Sequence, residues 1–193
     1  VRPPAADALK ISRFAPPASD LFPVGERSTC GPRPVGVSGV IVGIAKESVA
    51  GERRVAVVPD VVKALVKKGH EVRFQSGAGV EAGHPDKQFA EAGATAVGSF
   101  EELASSSDIV TKLQAPTDAE QGALSSKNTL FSLLRPLDEA QRIAALAAGG
   151  ATAFSLELMP RITRAQSMDV LSSQSTIAGY RAVLLAASSL PRI

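Results

Sequence analysis

Arg161, Gln166, Asp169 and Ser172 fall within twelve residues, in a polar stretch that follows an apolar, strand-like run. A guanidinium, an amide, a carboxylate and a hydroxyl are the groups that would hold a carboxamide and a ribose, provided the loop folds back on itself. The same stretch suits an ordered surface loop that caps a following helix through Ser167 or Asp169. Spacing alone does not separate the two readings.

The run from Lys46 to Ala56 packs five charges, Lys46, Glu47, Glu52, Arg53 and Arg54, into a turn. Arg53 and Arg54 could grip a carboxylate or phosphate bidentately. The expectation favours a solvated loop with local ion pairs. Ser76-Gly77-Ala78-Gly79 is a fragment of a dinucleotide fingerprint, but the third glycine is missing and no helix opens directly behind it. It is read as a turn needing positive φ. His70 and His84 have no ligand partners at metal-binding spacing, so no metal site is expected. No Gly-x-Ser-x-Gly elbow is present, and no catalytic nucleophile or general acid is assigned.

These residues need a scaffold, and the pattern predicts one. Strands are expected at 40–45, 70–75, 94–97, 108–113, 129–133 and 151–156, and helices at 59–69, 86–92, 100–105, 118–124 and 137–148. From Met168 the chain is expected to be helical, interrupted around 172–175 and resuming at 177–187. Strands alternating with helices imply an α/β fold: three layers, a mostly parallel sheet with helices on both faces. Ligands of such sheets bind beyond the carboxyl ends of the strands. That directs attention to 46–54, 77–84, 114–116, 134–136 and 157–169.

The chain has 193 residues, long enough for one domain with a core. Aromatic content is 4% with no Trp, so the core must be built from Val, Leu, Ile and Ala. A net charge of +2 with interspersed signs lacks the basic stripe that nucleic-acid binding needs. Cys30 is the single cysteine and cannot form an internal disulfide. No apolar run is long enough for a transmembrane helix. Residues 1–38 are a different material, with prolines at 3, 4, 16, 17, 32 and 34 and room only for a short helix at 5–14. This Pro-rich irregular extension is read as a targeting remnant or as an arm that docks on a partner, and 39–193 as the domain. The start at Val1 suggests a processed or cropped chain.

Four segments carry a family resemblance. Lys46-Glu-Ser, then Gly51-Glu-Arg-Arg-Val-Ala56 and Pro59, form an opening strand and loop. Val72-Arg-Phe-Gln-Ser-Gly-Ala-Gly79 and Lys112-Leu-Gln-Ala-Pro116 follow in order, and the run from Arg161 through Tyr180 to Val183 is the most specific. Together they resemble the α subunit of the proton-translocating NAD(P) transhydrogenases. Alanine dehydrogenases share the fold and the opening motif but not the last run. Their catalytic His is also lacking in 131–135, which argues against amino-acid oxidation.

The resemblance implies the first lobe of a two-lobe, Rossmann-like NAD(H)-binding domain, ending in the start of the inter-lobe helix. It implies that Arg161, Gln166, Asp169 and Ser172 contact the nicotinamide end of NAD(H), with Tyr180 in the same region. The Gly-rich fingerprint of the family is expected beyond Ile193, so NAD(H) binding by this chain alone is expected to be weak or absent. The implied partner is a chain carrying the second NAD-binding lobe, the NADP domain and membrane helices. The alternative is an inactive accessory subunit of a large mitochondrial respiratory complex. The expected location is mitochondrial, peripheral on the inner membrane.

Overall fold

The computed structural model describes residues 39–191. The extension at 1–38, with its expected short helix and docking or targeting role, lies outside the described residues.

Six strands form one wholly parallel sheet: β1 (Ile41–Ile44), β2 (Glu71–Gln75), β3 (Thr95–Val97), β4 (Ile109–Gln114), β5 (Thr129–Leu133) and β6 (Thr152–Ser155). Their order is β3-β2-β1-β4-β5-β6. The connecting helices are α1 (Pro59–Lys67), α2 (Asp86–Glu91), α3 (Phe100–Ser106), α4 (Asp118–Ala123) and α5 (Ala140–Ala148), and α6 (Val170–Ser189) follows the sheet. The chain winds outward from β1 to β3, then crosses back to β4 and winds the other way. That reversal is the topological switch at which such sheets open a crevice.

Three helices begin where their sequence directs. Pro59 opens α1 with φ already set, Ser99 accepts a hydrogen bond from the Glu102 amide to cap α3, and Thr117 and Glu120 form a reciprocal capping box on α4. On α1, Val62 is buried and Leu65 half-buried, whereas Val61 is exposed, so the apolar stripe is narrower than the composition suggests.

Two apolar clusters sandwich the sheet. Ile44, Val72 and Phe74 pack with Val62 of α1 and Phe89 of α2, and the Phe74 and Phe89 rings stack at 5.0 Å. Ala45, Val110 and Leu130 pack with Leu103 of α3, Leu124 behind α4 and Leu146 of α5. Burial on both faces explains the unbroken apolar run of β1, whereas β2, β4 and β5 alternate buried with half-buried or exposed positions and carry polar residues. Gly43 is required where α3 crosses β1, because a Cβ there would stand 2.7 Å from Ser107 Oγ and 3.0 Å from Leu103 Cγ. β6 is an edge strand and is mostly exposed: Phe154 stacks on Phe131 at 4.8 Å yet keeps 49% of its surface open.

Two boundaries differ from expectation. α5 starts at Ala140 rather than at 137, because Arg135 takes a left-handed φ of 53° and the amides of Asp138 and Glu139 bond back to its carbonyl in a turn. α6 runs unbroken through 172–175. Ser173 and Thr176 return their hydroxyls to the carbonyls of Val170 and Ser172, both at 3.0 Å, so the polar cluster is satisfied inside the helix instead of breaking it.

Candidate functional site

The carboxyl ends of the strands converge on a cleft of about 530 Å³. Its walls include Arg54 after β1, Leu113 of β4, Leu133 of β5, Leu156 after β6, and Leu171 and Gln174 of α6. A second, shallower hollow of about 370 Å³ lies on the approach to α6, rimmed by Gln166, Asp169, Ser172 and Thr176.

The structure brings together part of the quartet expected from the sequence. Asp169 is the N-cap of α6: its Oδ1 accepts the amides of Leu171 and Ser172 at 3.0 and 3.1 Å. Ser172 Oγ donates to Asp169 Oδ2 at 2.6 Å. Hydrogen bonds from the Ser172 hydroxyl and amide, with the charge of Arg161, hold the Asp169 carboxyl below its usual range. Gln166 shares the hollow with this pair. Arg161 is exposed and acts on Asp169 through its charge, with no hydrogen bond between them. Tyr180 is exposed on α6, eight residues past Ser172 and so about 12 Å along the axis. Of the two capping residues expected, Asp169 is the one used.

The charged loop behind β1 is wired across the sheet. Arg54 grips Glu52 with Nε at 2.8 Å and Nη2 at 2.6 Å, and its Nη1 donates to Gln174 Oε1 of α6 at 2.9 Å. Gln114 at the end of β4 donates to the same Glu52 carboxylate at 2.7 Å. The Arg54 fork is the main cause that lowers the Glu52 carboxyl to about 2. Glu47 accepts the amides of Leu113 and Gln114 at 2.6 and 3.0 Å, where β4 shifts register against β5. Burial raises the Glu47 carboxyl above its ordinary value against the pull of those two amides. Arg53 makes only an exposed pair with Glu81 at 3.7 Å. The loop is thus an ion-pair loop, as expected, but Arg54 and Glu52 reach partners far along the chain.

Sequence reasoning missed a buried centre behind this wall. Lys112 of β4 is fully enclosed; its Nζ lies 2.6 Å from Glu120 Oε1 and 2.8 Å from Ser48 Oγ, with the Phe100 ring 5.8 Å away. A signal for Glu120 existed in the Thr117-x-x-Glu120 capping box. Lys112 opens the family segment Lys112–Pro116, but no local signal marked it as buried, on a strand that also carries Thr111 and Gln114. Gly77 does take the left-handed φ of 78° expected of it, and its amide donates to Asp86. Among the described residues no cluster of metal-binding side chains forms, and no helix is long and apolar enough to cross a membrane.

A doubly wound parallel sheet with a cleft beyond its strand ends, walled by a capped helix entry, defines a Rossmann-like α/β lobe. Residues 43–178 match the family described as alanine dehydrogenase/PNT, N-terminal domain, and the chain belongs to that family. It is 45% identical over 148 residues to the first portion of a divided NAD(P) transhydrogenase alpha subunit from Rhodospirillum rubrum, covering 74% of this chain and 38% of that protein. To the alanine dehydrogenase of Mycobacterium tuberculosis it is 33% identical over 151 residues, covering 78% of this chain and 40% of that one. The crystal structure of transhydrogenase from Sinorhizobium meliloti superimposes with a TM-score of 0.74 at 41% identity, covering 79% of this chain and 45% of the other. The chain therefore spans less than half the length of these relatives.

Proposed function

We propose that this chain is the first lobe of the NAD(H)-binding part of a proton-translocating NAD(P) transhydrogenase, and that residues 161–180 position the nicotinamide end. The Asp169–Ser172 pair at the hollow shared with Gln166 carries the reading. Higher identity to the transhydrogenase relative than to the alanine dehydrogenase supports it.

The side chains fit the cofactor's polar end. Asp169 spends Oδ1 on two amides and one lone pair of Oδ2 on Ser172, which leaves Oδ2 free to accept a ribose hydroxyl. Ser172, as donor to Asp169, keeps acceptor lone pairs for a carboxamide N–H. Gln166 offers both donor and acceptor, and exposed Arg161 offers a guanidinium to a carbonyl or phosphate oxygen. NAD(H), when bound, supplies the hydride. The protein's contribution is orientation and electrostatics, so no general acid is required. The stretch 131–135, which ends in the left-handed Arg135, holds no histidine to serve amino-acid oxidation, consistent with that assignment.

A Gly-rich pyrophosphate cradle at a helix N-terminus is absent among the described residues. Tight cofactor binding and hydride transfer to NADP(H) on this reading also call for the second lobe, the NADP domain and the membrane helices. The divided alpha subunit of the Rhodospirillum rubrum relative supports a multi-chain assembly. The accessory-subunit alternative draws no support from these transhydrogenase relatives, which are bacterial. In the assembled protein, Arg161→Ala should lower the transhydrogenation rate at least tenfold, on the order of the loss expected when an orienting contact is removed. An unchanged rate removes Arg161 from the site.

A further inference from the structure

We propose that Arg54 is a positioning residue: with Glu52 and Gln174 it latches the first turns of α6 onto the cleft wall and so fixes the Asp169–Ser172 turn. The proposal rests on the reading of that turn as nicotinamide-facing.

α6 needs an anchor. Its twenty residues include none that is buried, and Ile177, Tyr180, Val183 and Leu184 all stand exposed. Val170 and Leu171 lean on the cleft beside Leu156, a small apolar contact. Among the described residues, Arg54 Nη1 to Gln174 Oε1 at 2.9 Å is the one hydrogen bond from α6 to the body of the fold. It joins residues 120 positions apart.

The body side of the latch is rigid. Glu52 has only 8% of its side chain exposed and receives the Arg54 fork, the Arg54 amide at 3.0 Å and Gln114 Nε2 at 2.7 Å. Gln114 is itself held through its amide by Glu47. The chain of contacts thus runs from the end of β4 through Gln114, Glu52 and Arg54 to Gln174. Each of the three guanidinium nitrogens donates one hydrogen bond, two of them to Glu52 and one to Gln174, which fixes the Arg54 fork between the loop and α6. Gln174 stands two residues past Ser172 on the same rigid helix, about 3 Å further along its axis. Fixing Gln174 therefore sets the height of the Asp169–Ser172 turn above the cleft.

The test uses the full-length protein that carries this chain. Arg54→Lys loses the fork and Gln174→Leu loses the acceptor, whereas Gln174→Glu keeps an acceptor for Nη1. Both disabling variants should speed amide exchange in the first turns of α6 about tenfold without nucleotide, and the double variant should add little to either. Gln174→Glu should restore slow exchange. Hydride transfer should fall about tenfold in kcat, with KM for NADH changing by less than about twofold. Unchanged exchange in both variants, or additive effects in the double, overturns the latch. Faster exchange with unchanged hydride transfer supports the latch and instead removes the cofactor role of the turn.

Discussion

Lys112 Nζ sits 2.6 Å from Glu120 Oε1, with the lysine wholly enclosed between the sheet and α4. Ser48 completes the lysine's shell at 2.8 Å, and Glu120 Oε2 accepts the Thr117 amide at 2.7 Å. One side chain therefore joins the loop after β1, strand β4 and the start of α4.

Breaking that pair from one side leaves a buried charge. Glu120→Ala should destabilise the fold by about 3–5 kcal/mol, whereas Lys112→Met combined with Glu120→Leu should recover most of the loss. Urea denaturation of the wild type and both variants checks this. A loss under about 1 kcal/mol in Glu120→Ala would show that the pair is solvated.

Gly43→Ala should destabilise by about 1–3 kcal/mol, because the new methyl meets Ser107 and Leu103 beside α3. Pairing it with Ser107→Gly should relieve part of the effect. A neutral Gly43→Ala in thermal melts would mean that α3 can withdraw from β1 freely.

Acid should destabilise the fold through the cleft loop. The Glu52 carboxyl is lowered from 4.5 to about 2 in the fold, chiefly by Arg54. The unfolded chain therefore binds more protons between these values, and stability rises with pH there. The contribution is fully present above 4.5 and is lost as pH falls toward 2. Glu52→Gln should flatten stability against pH across that window; an unaltered slope would contradict the pairing.

Much of the scaffold was legible. β5 occupies the predicted 129–133, and the apolar run at 40–45 holds β1, a central strand packed on both faces. Asp169 as a cap was legible for a local reason: a carboxylate before a helix meets free amides. The predicted break in α6 failed because the hydroxyls that could compete for the backbone are satisfied inside the helix, Ser173 by the carbonyl of Val170. The delayed start of α5 rests on the left-handed Arg135, whose amide bonds to Glu157, a residue reached only once β6 lies beside β5. Arg54 with Gln174, and Lys112 with Ser48, are likewise joined by topology alone, which composition and periodicity do not encode.

Asp169→Asn in the full-length protein tests the central claim most directly. Asparagine caps helices about as well as aspartate, so α6 should keep its first turn. The substitution removes the negative acceptor offered to the ribose. The account predicts an unshifted melting temperature, with hydride transfer between NADH and an NADP analogue reduced roughly tenfold or more. A wild-type rate in a stably folded Asp169→Asn protein would contradict it and leave Asp169 as a helix cap alone.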